Sequence, residues 1–188
     1  YASLFLNSLT DKMFQIESVA DGIRKYTTSW FKIDQYYRNY IFYMNQSNQV
    51  SKLSELTSVI EKYYSNTYLL ALNDNWQEQL DKLQTWDFPN EIQQRKFFDN
   101  YVMPYLKKDK NVCVIISDAL RYEIGDELST QIRQEDKFTA KIEPLITLLP
   151  SYTQLGMAAL LPNEELKMKI NEKSDKKNSA VLVDDNDA

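Results

Sequence analysis

Asp118 and Thr153 stand out because each closes an apolar run and opens a helical pattern. Asp118 follows Val112, Cys113, Val114, Ile115, Ile116 and one serine, and Thr153 follows Leu148, Leu149, Pro150, Ser151 and Tyr152. In a parallel sheet such positions lie outside the carboxyl ends of the strands, where open α/β folds gather their chemistry. A carboxylate there can ligate a divalent metal. A hydroxyl there can act as a nucleophile once a base or a metal lowers its pKa. Asp and Thr also cap helices well, and the two roles are compatible. Ser151 competes as the hydroxyl, although Pro150 before it marks a turn. Arg121 has the planar fork for a phosphate oxygen, and it equally has Glu123 and Asp126 nearby for an ion pair. Gly156 is a poor helix former in the first turn after Thr153 and admits close approach of backbone or substrate. Asp184 and Asp185, past a last apolar run, read as a solvated loop end or as further carboxylates at the same edge.

The elements around these residues follow from periodicity. Val112–Ile116 is continuous and mostly β-branched, the mark of a strand buried on both faces. Arg121 to Gln134 predicts a helix with Leu120, Ile124, Leu128 and Ile132 on one face. Lys137 to Leu148 reads as extended, Thr153 to Leu161 as helix, and Ala180 to Val183 as a second short strand. That β-α-β-α-β order predicts an α/β doubly wound sheet over residues 109–188. Residues 1–108 instead predict four or five helices. Their stripes are Leu9, Met13, Ile16 and Ala20; then Leu69, Leu72, Trp76, Leu80 and Leu83; then Ile92, Phe98, Val102 and Tyr105. Joints fall at Asn45–Ser51 and Trp86–Asn90. The aromatic-dense segment Trp30–Tyr40 suits a nucleotide-stacking surface, or helix packing by amphipathic tyrosines with Asp34 paired to Arg38. The packing reading needs no ligand.

Composition narrows the function classes. The chain has 188 residues, 43% of them hydrophobic and 26% charged, with a mean hydropathy of −0.53. It holds no apolar run of about 18 residues, so no membrane span is expected. The lone cysteine, Cys113, excludes a disulfide framework and predicts a buried thiol in a reducing cytoplasm. The absence of histidine removes any complete His triad or His-ligated metal site from this chain. Three glycines, Gly22, Gly125 and Gly156, exclude a Gly-rich phosphate loop. The net charge of −5 argues weakly against broad nucleic-acid binding. Between Lys167 and Lys177 five lysines face only Glu172 and Asp175, a local excess of +3. No aromatic is interleaved there, so a solvated loop is the simpler reading. A start at Tyr1 and a charged end suggest a piece of a longer protein.

Two long strings resemble a known family. Val-Ile-Ile-Ser-Asp-Ala-Leu-Arg-Tyr-Glu-Ile-Gly (from Val114) and Leu-Pro-Ser-Tyr-Thr-Gln-Leu-Gly-Met-Ala-Ala-Leu-Leu-Pro (from Leu149) look like the start of a PglZ domain. PglZ proteins accompany bacteriophage-exclusion (BREX) defence systems, and their domain is related to the alkaline phosphatase superfamily. The resemblance covers about Val112 to Asp184, and the segment around Ile33–Arg38 resembles the helical region that precedes the domain. It implies the first half of an alkaline-phosphatase-like doubly wound parallel sheet. It implies Asp118 as a metal ligand and Thr153 as a metal-bound nucleophile that forms a phospho-threonine. Arg121 and Gly156 would meet the substrate. Related phosphodiesterases often carry Asn three residues after the nucleophile, where this chain has Gly156.

The resemblance further implies a divalent metal in the parent, usually zinc, with manganese or magnesium as alternatives. The partners would be other BREX proteins, and the substrate a phosphoester of nucleic acid or nucleotide. The superfamily's remaining Asp and His ligands lie further along. This chain is therefore expected to lack a complete dinuclear site and to show little or no hydrolase activity of its own. Metal-dependent turnover by the chain alone, lost in Thr153→Ala, would overturn that expectation. The alternative from a different class is a non-catalytic scaffold of a multi-subunit defence complex.

Overall fold

Local chemistry sets where the helices start. Ser18 Oγ accepts the Asp21 N–H at 3.1 Å, and Asp21 Oδ2 accepts the Glu17 N–H at 3.1 Å. This reciprocal cap satisfies two donors at the start of a helix. The computed structural model describes residues 1–9, 14–86, 88–171, 178–184 and 186–187. The first helices are α1 (Ala2–Leu9), α2 (Val19–Lys25) and α3 (Phe31–Gln46), with a π turn at Tyr26–Trp30 joining the last two. In that turn Thr27 and Thr28 bond back to the carbonyls of Ile23 and Arg24 at 2.8 and 2.5 Å. Such hydroxyls compete with the regular helical ladder. A second rod follows: α4 (Ser54–Lys62), a π turn at Tyr63–Leu69 and α5 (Leu70–Leu80). Between the rods the chain turns at Asn48, whose φ of 54° is left-handed, a conformation Asn tolerates.

The expected Leu9–Ala20 stripe is not one helix. Ile16 lies between α1 and α2, and Phe14 has a φ of 46°; Met13 lies outside the described residues.

The chain forms two compact units, Tyr1–Trp86 with Arg121–Ile142, and Asp87–Leu120 with Glu143–Ala188. The first unit's core gathers Phe5, Phe14, Ile33, Ile60 and Tyr68, all essentially sealed from solvent. Tyr37 and Tyr64 stack with centroids 3.7 Å apart. Gly22 is needed for close approach, since a Cβ there would stand 2.9 Å from the Trp76 ring.

The aromatic segment is thus largely committed to packing, but Asp34 does not pair with Arg38 as its spacing suggested. Asp34 is 4% exposed. It accepts hydroxyls from Tyr26 and Tyr64 at 2.8 Å each and from Tyr68 at 3.1 Å. Burial and the neighbouring Asp34 carboxylate push the Tyr64 hydroxyl up to about 12 and those of Tyr26 and Tyr68 higher. All three therefore stay protonated donors, which a buried carboxylate requires.

Arg38 turns instead to α7 (Tyr122–Gln134). It donates to Glu127 at 2.5 Å, beside Asn39, which donates at 2.9 Å. Glu123 on the same helix is 0% exposed. Its nearest cations are Arg121 Nε at 3.0 Å and Arg38 Nε at 3.7 Å, and neither makes an aligned hydrogen bond. Of the expected apolar face of α7, Leu120 and Leu128 are exposed, while Glu123 and Ser129 are buried. The Arg38–Glu127 ion pair and the Tyr122 ring on Phe31, rather than the leucine stripe, join this helix to α3.

In the second unit, residues 90–106 form short helical turns ending in α6 (Met103–Leu106), with Pro104 in its first turn. Further on come α8 (Thr153–Ala159), β1 (Leu166–Asn171), β2 (Asn178–Val183) and β3 (Asn186–Asp187). The strands form one antiparallel sheet in the order β1-β2-β3, with Leu166 opposite Val183. Leu155, Ala158 and Val181 make its small core.

The α/β expectation needs correcting here. Among the described residues there is no doubly wound parallel sheet; parallel pairing is limited to a bridge between Gln93 and Ile146. Val112–Ile116 makes no ladder, and Ile115 is 87% exposed. The strand expected at Ala180–Val183 exists, but pairs antiparallel with β1. A strand needs partners for its backbone donors and acceptors, and none of the described elements supplies them to Val112–Ile116. Cys113 is exposed rather than buried for the same reason. No helix of the described residues is long and apolar enough to cross a membrane.

Candidate active site

A cleft of about 380 Å³ opens within the second unit. Its walls are the loop Ile116–Leu120, the segments carrying Thr147, Leu148, Ser151 and Tyr152, and the first turns of α8. Asp118, Ser151, Thr153 and Gly156 all line it. Four of the residues singled out by type and spacing thus share one concavity, although their sequence separation reaches 38 positions (156 − 118).

Neither Asp118 nor Thr153 serves as a cap. Helix α7 is capped by Arg121, three residues after Asp118, and α8 by Tyr152, so Thr153 is the first residue inside the helix. Both side chains are exposed, and no hydrogen bond or ion pair of the described residues engages either. Ala119, directly after Asp118, has a φ of 52°. For a residue with a Cβ this left-handed conformation costs about 1–2 kcal/mol, and it turns the chain sharply just beyond the carboxylate.

The other candidates stand elsewhere. Arg121 belongs to the first unit, where its Nε lies 3.0 Å from Glu123 and its Nη2 3.4 Å from Asp34. Asp184 Oδ1 accepts the N–H groups of Glu164 and Glu165 at 2.9 and 2.8 Å. Those backbone donors hold its carboxyl below the usual carboxylate range. It therefore ties the end of β2 to the chain entering β1. Asp185 lies outside the described residues, as does most of the Lys167–Lys177 lysine cluster.

Among the lining residues not singled out from sequence, Gln94 makes a hydrogen bond across the cleft wall. Gln94 reaches the cleft from the turns before α6, and its Nε2 donates to the Gly156 carbonyl at 3.1 Å. A lone glutamine in a polar stretch carries no motif, so only the fold reveals it.

As a metal site the lining is incomplete. It offers one carboxylate, Asp118, with hydroxyls, and the described residues hold no group of three or more His, Cys, Asp or Glu placed for an ion. A divalent cation takes six or more oxygen ligands, or four nitrogen and sulfur ligands, so the donors of this chain do not by themselves fit one.

A carboxylate and a hydroxyl thus flank one cleft, at Asp118 and Thr153. The profile of the BREX system PglZ alkaline phosphatase-like domain matches residues 97–187. The chain is 42% identical over 160 residues to the alkaline phosphatase-like protein BrxZ of Escherichia coli O9:H4 (strain HS), covering 81% of this chain and 18% of that protein. It is 34% identical over 153 residues to the alkaline phosphatase-like protein PglZ of Bacillus cereus (strain H3081.97), covering 80% and 18%. Residues 97–187 thus carry the match to the PglZ domain of BREX systems, and the chain spans about 18% of the length of these relatives. No solved structure matches it.

Proposed function

We propose that the cleft is the nucleophile half of a phosphoester-hydrolysing site, with Thr153 as the attacking residue. The observation that carries this is the pairing of Asp118 and Thr153 in one cleft, both uncommitted to capping or ion pairs. The Thr153 oxygen bonds to phosphorus as the bond to the leaving alcohol breaks, and the hydroxyl proton ends on that alcohol. Water then displaces threonine, releasing phosphate or a phosphomonoester and restoring the hydroxyl. Asp118 would supply one carboxylate to a divalent metal, zinc first and manganese or magnesium as alternatives, whose other ligands would come from outside this chain. Such an ion, when bound, would polarise phosphoryl oxygens. Gly156, in the cleft lining, lets substrate approach the helix backbone near the nucleophile, and Arg121 offers its half-exposed guanidinium to a phosphate oxygen.

In the parent protein, partner strands flank Val112–Ile116 and complete a doubly wound sheet, which would explain why that segment is apolar yet exposed here. Residues 109–188 then form the first part of the PglZ domain, after a helical region over 1–108. The parent works in the cytoplasm with other BREX proteins on a nucleic-acid or nucleotide phosphoester.

The test is hydrolysis of chromogenic phosphomonoesters and phosphodiesters by the full-length protein, beside Asp118→Ala and Thr153→Ala. Turnover lost on chelation and falling at least a hundredfold in both variants is the expected result. A folded protein with no turnover under zinc, manganese and magnesium would turn the reading to a defence-complex scaffold.

A further inference from the structure

Of the described residues that line the cleft, Asp118 alone carries charge, and no lysine or arginine is among them. Much of the remaining wall is apolar, with Leu120, Met157 and Leu160 part of it. Leu120 is 53% exposed and Met157 38%, so both present surface that a ligand can reach. None of the three belongs to the Val112–Ile116 run. Small-molecule sites are walled mostly by apolar groups, with a few polar ones that fix orientation.

The order of residues along α8 sets the distance from the nucleophile. Met157 follows Thr153 by four residues within the helix, so the two share a face with their Cβ atoms about 6 Å apart. Leu160, the right-handed cap of α8, follows by seven, or about 10 Å along the axis. Thr153, Met157 and Leu160 all line the cleft. A phosphorus held at Thr153 therefore has an apolar strip beside it, from one helical turn away to two. Further phosphate groups on the substrate would meet the Asp118 carboxylate and no cation of this lining. An aromatic ring instead buries a large apolar area there, and a thioether such as that of Met157 packs favourably on ring edges.

We propose that the Met157–Leu160 strip, with Leu120, binds an aromatic group of the phosphoester, an aryl ring or a nucleobase, and so selects aromatic esters over aliphatic ones. This rests on the cleft being the phosphoester site.

The test uses the full-length protein and two pairs of probes, with binding followed by calorimetry. Phenylphosphonate against methylphosphonate puts the ring on phosphorus. Adenosine 5′-monophosphate against ribose 5-phosphate puts it beyond a sugar. The wild type should favour the aromatic member of at least one pair by about four- to fifteenfold, the effect of burying one or two methylene groups. The pair that responds identifies the source of the ring. Met157→Ala should cut that ratio to about twofold or less. Met157→Leu keeps the apolar volume and should retain the ratio, which guards against a loss caused by misfolding. Equal or absent binding within both pairs, a ratio that survives Met157→Ala, or one lost equally in Met157→Leu overturns the assignment. A Met157-dependent preference in a protein that turns over no phosphoester would instead break the phosphoryl-transfer reading alone. Turnover with no preference would break this one alone.

Discussion

The two units solve the same problem unequally. The first seals Phe5, Phe14, Ile33, Ile60 and Tyr68 and answers a buried carboxylate with three tyrosine hydroxyls. The second has a core of Leu155, Ala158 and Val181, and leaves Val114, Ile115, Ile116, Leu149 and Leu161 exposed. Apolar side chains left in water forgo the main stabilising term of folding. The helical unit thus seals the larger core, while the unit holding the candidate chemistry leaves a continuous β-branched run, Val114–Ile116, in water.

The widest break in this contrast should come at Asp34. Asp34→Ala leaves three buried tyrosine hydroxyls facing a void, and should destabilise the first unit by about 3–5 kcal/mol in urea unfolding. Asp34→Asn should cost less, because it keeps an acceptor. A loss below about 1 kcal/mol for the alanine variant would mean that the tyrosine hub does not organise this core.

A sharper contrast comes from Ile115. In this chain alone Ile115→Ser should change stability by no more than about 0.5 kcal/mol, as at other exposed sites. In the full-length protein, with the strand paired and covered, the same change should cost about 2 kcal/mol or more. Amide exchange at Val112–Ile116 should be fast in the first case and slow in the second. Slow exchange in the chain alone would remove the idea that this segment awaits partners.

The smallest effect concerns pH. Burial pushes the Glu123 carboxyl above its ordinary range, against the pull of Arg121 and Arg38. The folded state then holds this proton to higher pH than the unfolded state. The stability linked to the group is complete below the unfolded pKa and falls as pH rises through the folded one. Glu123→Gln removes the titration, so its stability relative to wild type should climb across that window. A difference that is flat with pH would mean that Arg121 and Arg38 keep Glu123 ionised in the fold.

Much of this was legible from residue order. Helical periodicity marked the rod around Leu70–Leu80, aromatic density marked packing around Trp30–Tyr40, and Asp118, Thr153 and Gly156 do share a cleft. What sequence hid was physical context. The Val112–Ile116 run is a strand by composition, but strand formation depends on partners that periodicity cannot supply. The face of α7 was chosen by its leucines, yet Glu123 and Glu127 found Arg38, a cation 85 positions before Glu123 (123 − 38). Gln94 carried no pattern, because what places it in the lining is a hydrogen bond to the Gly156 carbonyl, far along the chain.

The interrupted course of the first unit bears on its synthesis. Residues up to Trp86 leave the ribosome before α7, which follows only after a stretch that belongs to the other unit. Asp34 needs an answer before then. Tyr26, Tyr64 and Tyr68 all lie within that first segment, so the nascent chain can bury its carboxylate during translation. Arg121 and Glu123 then dock onto a core already set, and the order of emergence itself becomes the assembly order.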